Sequence, residues 1–103
     1  MVKVTYLYQN TNIAAVKITG HANFAEVGND IVCAGISAIV IGTLNALHEL
    51  ENKQVQVIDN TIGLINLKVT TVTNNSQIIL KTMLWQLKTI KNQYPKYINI
   101  KEV

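Results

Sequence analysis

From Ile31 to Leu47 the chain runs for seventeen residues without a charge, and any fold it adopts must hide that segment. A membrane span needs roughly 20 predominantly apolar residues. This run is shorter, contains Ser37, Thr43, Asn45, Gly35 and Gly42, and ends at once in His48 and Glu49. It reads as a buried helix of a soluble domain, with no membrane partner expected. Asp30 stands where an N-cap belongs, so the helix is expected from Ile31 to about Leu50. Small residues recur once per turn at Ala34, Ala38, Gly42 and Ala46, while Ile36, Val40, Leu44 and Leu47 add bulk elsewhere around the circumference. A helix apolar nearly all round must be covered on more than one side. With one further helix in the chain, a second copy of the protein is the expected source of that cover.

The rest of the chain alternates. Val2 to Tyr8 and Ile13 to Thr19 read as strands joined through Gln9 to Asn12, with Val2, Val4, Tyr6 and Tyr8 on one face. Gln54 to Ile58 and Ile62 to Val69 read as another pair, joined at Asp59-Asn60-Thr61. Asn74 or Asn75 is expected to cap a second helix reaching about Gln93, with Leu80, Met83, Leu84, Leu87 and Ile90 at helical spacing and Pro95 stopping it. Tyr97 to Lys101 closes the chain as a strand. The order ββαββαβ, with hairpins favoured over crossovers, predicts an α+β fold of two helices on a largely antiparallel sheet. At 103 residues one domain, residues 1–103, is expected.

Composition narrows the function. The chain is 49% hydrophobic and only 15% charged, which excludes disorder. Its net charge of +3 comes with no arginine, so the bidentate fork that reads guanine edges is missing and no sequence-specific nucleic-acid partner is expected. The N-terminus lacks the apolar stretch of a signal peptide, and a single cysteine cannot form an internal disulfide, which fits a cytoplasmic protein. Two histidines and one cysteine, unclustered, argue against zinc, and neither a paired carboxylate motif nor a phosphate loop is present. No metal and no cofactor are expected.

One candidate site remains. Cys33 falls in the first turn of the helix behind Asp30, where unpaired amides and the macrodipole favour a thiolate. His21 leaves a strand end twelve residues earlier, and the intervening loop is long enough to fold its imidazole back to the helix start. A histidine there takes the thiol proton and returns it to a leaving amine. Helix-start amides offer an oxyanion site, and Ser37, one turn after Cys33, is a candidate hydrogen-bond donor beside it. Each assignment has a plainer counterpart. A lone cysteine is usually buried, Asp30 serves as an N-cap or as an orienter of His21, and a helical serine often bonds a carbonyl one turn back. The loop Ala22 to Asn29, including Asn23, Phe24 and Gly28, is expected to cover a bound peptide. Gly20 and Gly28 act as its hinges, and Phe24 and Val27 serve either as substrate contacts or as pins to the core. His48 is expected to be a surface residue.

The triplet GHA at Gly20 to Ala22, followed at matching spacing by DIVCAGIS at Asp30 to Ser37, resembles the ribosomal-processing cysteine proteases (Prp) of Firmicutes, mycoplasmas and relatives. The resemblance extends over the whole length and order of elements. It implies a Cys33–His21 catalytic dyad, a small α/β sandwich that forms homodimers, and removal of the N-terminal extension of a large-subunit ribosomal protein by cleavage after aromatic residues. Where many members have Gly or Asp after the triplet, this chain has Asn23, which also tolerates left-handed backbone. Two rival readings are a non-catalytic ribosome-associated binding module, drawn weakly to RNA by nine lysines, and a redox or acyl-transfer protein using Cys33 alone.

Overall fold

The computed structural model describes residues 1–26 and 29–103. Its elements follow the expected order: β1 (Val2–Gln9), β2 (Asn12–Thr19), α1 (Ile31–Leu50), β3 (Val55–Thr61), β4 (Leu64–Val69), α2 (Asn74–Gln93) and β5 (Ile98–Glu102). The five strands form one sheet in the order β3-β4-β2-β1-β5. All neighbours are antiparallel except β1 and β5, which run parallel. That parallel pair is possible because α2 separates β5 from the hairpins and carries the chain back across the sheet.

Alternation along the strands builds the core. Val4 lies opposite Ile18 and Tyr6 opposite Val16, and Val16 and Ile18 in turn face Leu67 and Ile65 of β4, so apolar side chains form a band across three strands. A register shift between Leu7 and Tyr8 leaves Tyr8 half-buried. Its hydroxyl donates to Glu102 at 2.7 Å. Both helices close over this band. Helix α1 contributes Val32, Ile36, Val40, Leu44 and Leu47, and α2 contributes Leu80, Met83, Leu84 and Leu87. Helix α1 is long and apolar enough to cross a membrane, but here it is a layer of the domain. Its small-residue ridge lies toward the outside, where Ala38, Gly42 and Ala46 face Ile78 and Thr82 of α2 across a shallow groove.

Two boundaries depart from expectation. The second hairpin turns at Ile62-Gly63, not at Asp59-Asn60-Thr61, because β3 continues to Thr61 and Gly63 alone supplies the left-handed turn, with φ 78°. Helix α2 is capped by Thr73, one residue ahead of Asn74. The Thr73 hydroxyl accepts from the Ser76 amide at 3.0 Å, and the Ser76 hydroxyl accepts from the Thr73 amide at 3.2 Å, a reciprocal pair, while Gln77, the residue three after Asn74, is engaged with the Ile13 backbone.

Candidate active site

Asp30 organises the site. Its Oδ1 accepts from the Cys33 amide at 2.8 Å, and its Oδ2 accepts from the Phe24 amide at 2.9 Å and from Ala25 at 3.4 Å. These bonds, that of Cys33 foremost, hold its carboxyl below the usual aspartate value against the opposing pull of desolvation. The carboxylate therefore caps α1 and clamps the preceding loop to the helix start with the same two oxygens. It makes no bond to His21 among the described residues. The Cys33 amide is taken by this cap and the Ala34 amide bonds the Asp30 carbonyl at 3.0 Å, so part of the helix-start donor set expected for an oxyanion is already occupied.

His21 follows Gly20 at the end of β2. Gly20 adopts φ 88°, and a side chain there would run into the Met1 carbonyl oxygen, so glycine is required. Its amide donates to the Gly63 carbonyl at 3.0 Å, which ties the strand end to the tip of the β3–β4 hairpin. Across that tie, a Cβ on Gly63 would lie 3.1 Å from His21 Nε2. The imidazole thus sits against the hairpin tip, in space left open by the absent side chain.

Cys33, half-buried, and His21 open onto one cleft of about 470 Å³. Ser37 lies on the same wall as Cys33. Thr43, Thr82 and Thr89 each donate to a carbonyl one turn back, whereas Ser37 makes no such bond among the described residues and is exposed. Its hydroxyl is available to the cleft. The opposite wall is the hairpin tip, Asn60 to Leu64, which the sequence reading did not place at the site. Ile62 stands at its apex with 94% of its surface exposed. The one signal for it was the glycine after Ile62, which marks where the chain turns back.

The loop expected to cover a bound peptide is described over residues 22–26, and there it is anchored. Ala22 is buried and Asn23 adopts the left-handed conformation at φ 56°, as its side chain permits. Phe24 meets Tyr94 and Tyr97 edge-on, with ring centroids 5.5 and 5.1 Å apart. Phe24 therefore pins the loop to the end of α2, and none of Ala22 to Glu26 is among the cleft-lining residues. Val27 and Gly28, expected as an apolar contact and a hinge, lie outside the described residues. His48 is exposed near the far end of α1.

The sequence profile of a family described as cysteine protease Prp matches residues 1–99. The chain is 37% identical over 90 residues to the ribosomal processing cysteine protease Prp of Staphylococcus aureus, covering 85% of each. It is 39% identical over 84 residues to that of Mycoplasma genitalium, covering 81% of this chain and 82% of that one. The crystal structure of the S. aureus protease with a covalently linked product peptide superposes with a TM-score of 0.91 at 32% identity, over the full length of both chains. The same protease with a substrate peptide gives a TM-score of 0.84 at 30% identity, again over both full chains.

Proposed function

The chain belongs to the Prp family of cysteine proteases, and from that premise we propose that it is a cytoplasmic endopeptidase that removes the N-terminal extension of a large-subunit ribosomal protein. The observation that carries this reading is that Cys33 and His21 line one cleft, in a chain that superposes over its full length on proteases crystallised with peptides. His21 takes the Cys33 proton, and the thiolate attacks the scissile carbonyl. The Ser37 hydroxyl, with helix-start amides not engaged by Asp30, stabilises the tetrahedral oxyanion. Collapse of that intermediate breaks the C–N bond as His21 protonates the leaving amine, leaving an acyl-enzyme on Cys33. Water, deprotonated by His21, then releases the N-terminal product and regenerates the thiol.

The helices' outer face supports a homodimer. Ile31, Ile78 and Trp85 are between 61% and 66% exposed there, and a Cβ on Gly42 would meet nothing within 4 Å, so the face combines apolar area with room for close approach. Mass spectrometry of the full-length ribosomal precursor after incubation with the protein tests the activity. One cut near the precursor's N-terminus is expected, abolished by Cys33→Ala and slowed by about two to four orders of magnitude by His21→Ala. Cleavage by Cys33→Ala at the wild-type rate overturns the reading. Sedimentation of Trp85→Glu, expected to be monomeric where the wild type is dimeric, tests the interface.

A further inference from the structure

The sheet face turned away from the helices is where the chain's net charge resides. Register places Lys3 and Thr5 of β1, Lys17 and Thr19 of β2, Asn66 and Lys68 of β4, and Asn99 and Lys101 of β5 on this one side, opposite in parity to the buried Val4, Tyr6, Val16 and Leu67. All four of its lysines are exposed. Lys17 and Lys101 flank Thr5 from either side, about 10 Å apart across two strand spacings. Its single carboxylate, Asp59, sits at the β3 margin beside Asn66. Elsewhere Lys53, Lys81, Lys88, Lys91 and Lys96 are matched in number by Glu26, Asp30, Glu49, Glu51 and Glu102. The formal charge of +3 is thus the excess of this face alone.

We propose that the open sheet face is a docking surface for the phosphate backbone of RNA, independent of the cleft that holds Cys33. Charge complementarity selects a polyanion: four lysines spread over four strands present a flat positive field, and the hydroxyls and amides of Thr5, Thr19, Asn66 and Asn99 interleave as hydrogen-bond donors to phosphate oxygens. Leu7 is the one large, exposed apolar residue at a strand-paired position of the face among those described. A lipid surface would call for several such residues to insert, and a protein partner for an apolar centre. With lysine as the only cation and no aromatic ring on the face, recognition is of backbone charge and carries no base preference.

Fluorescence anisotropy with a labelled 20-nucleotide oligo-U and oligo-A tests the proposal. At 50 mM salt both are expected to bind with similar affinity. Binding should weaken about 50-fold by 200 mM, the slope expected for four phosphate contacts to a single strand. Two quadruple variants of equal net charge separate the face from mere basicity. Replacing Lys3, Lys17, Lys68 and Lys101 by glutamine should abolish binding and its salt dependence while leaving peptide cleavage intact. Replacing Lys53, Lys81, Lys91 and Lys96 should leave both the affinity and the slope near wild type. Equal losses in the two variants would overturn the assignment. So would wild-type binding to phosphatidylglycerol vesicles without binding to either oligonucleotide. Circular dichroism of the first variant guards against unfolding, and Lys17→Gln and Lys101→Gln singly, each expected to flatten the slope by about 0.7, serve if the quadruple variant does not fold.

Discussion

Replacing Gly63 by alanine separates two roles of the hairpin tip. The new Cβ would stand 3.1 Å from His21 Nε2, closer than the 3.4–4 Å of ordinary contact, so the imidazole must retreat by a few tenths of an ångström. Alanine at φ 78° also carries backbone strain of about 1–2 kcal/mol. The strain belongs to stability and the retreat to catalysis. Because a misplacement of 1 Å can cost about 100-fold in rate, a shift of a third to a half of that corresponds to about a five- to tenfold loss of kcat, with KM unchanged. Gly63→Asn carries the same Cβ but tolerates left-handed backbone. It should recover most of the stability in urea melts without recovering kcat. Steady-state cleavage of a fluorogenic peptide, run beside those melts, gives both quantities for each variant. If kcat recovers with stability in Gly63→Asn, or never falls in Gly63→Ala, the tip does not position the imidazole.

Other consequences are nearer to hand. Ile62→Ser, at a fully solvated apex, should leave the melting temperature unchanged but raise KM for the peptide severalfold, since the cleft loses an apolar lip; an unchanged KM removes the hairpin from substrate binding. Gln77→Ala leaves both the amide and the carbonyl of Ile13, now bonded at 2.7 and 3.0 Å, buried without partners, and should cost about 2–4 kcal/mol in denaturant unfolding. Glu102 has its carboxyl pulled below the ordinary value by the Tyr8 hydroxyl first and Lys88 second. Its share of stability is therefore present above the unfolded glutamate value and is lost as pH falls through the lower folded one. Tyr8→Phe should move that titration back up in NMR. Tyr8 itself is pushed up to about 12 by burial and by Glu102, so its contribution is full below about pH 10 and disappears as pH rises through 12, visible as Tyr8-dependent alkaline unfolding.

What sequence revealed depended on whether the signal was local. The first turn of α1 was legible because capping is a short-range matter: Asp30 reaches Cys33 three residues on, and that bond exists at 2.8 Å. The bulky helix positions Ile36, Val40, Leu44 and Leu47 were legible for the same reason, since 3.6-residue periodicity puts them together, and they are buried. The second hairpin was misplaced because polar Asp59-Asn60-Thr61 resembles a turn by composition, whereas the turn needs a residue at positive φ, which only Gly63 provides. That shift hid the far wall of the cleft, because a tip at Ile62-Gly63 reaches His21 and a tip at Asn60 would not. Phe24 was ambiguous for a different reason. Its partners Tyr94 and Tyr97 lie some seventy residues away, and nothing within the loop's own sequence points to them.

The three surfaces do not compete for space. The homodimer proposed above uses the helices' outer face, the peptide uses the cleft between the start of α1 and the β3–β4 tip, and the lysines lie on the opposite side of the sheet. A peptide can therefore reach Cys33 while the sheet rests on a polyanion, and pairing through the helices would turn two basic faces outward in opposite directions. Such a dimer carries eight face lysines where a monomer carries four, and a strand long enough to reach both faces gains from effective concentration as well as from charge. RNA affinity should then rise with oligonucleotide length beyond the single-face footprint in the wild type. In Trp85→Glu, with its outer helix face disrupted and its lysines untouched, that length dependence should vanish while binding to short oligonucleotides persists. Length dependence that survives in a monomeric variant would break the link between the two surfaces.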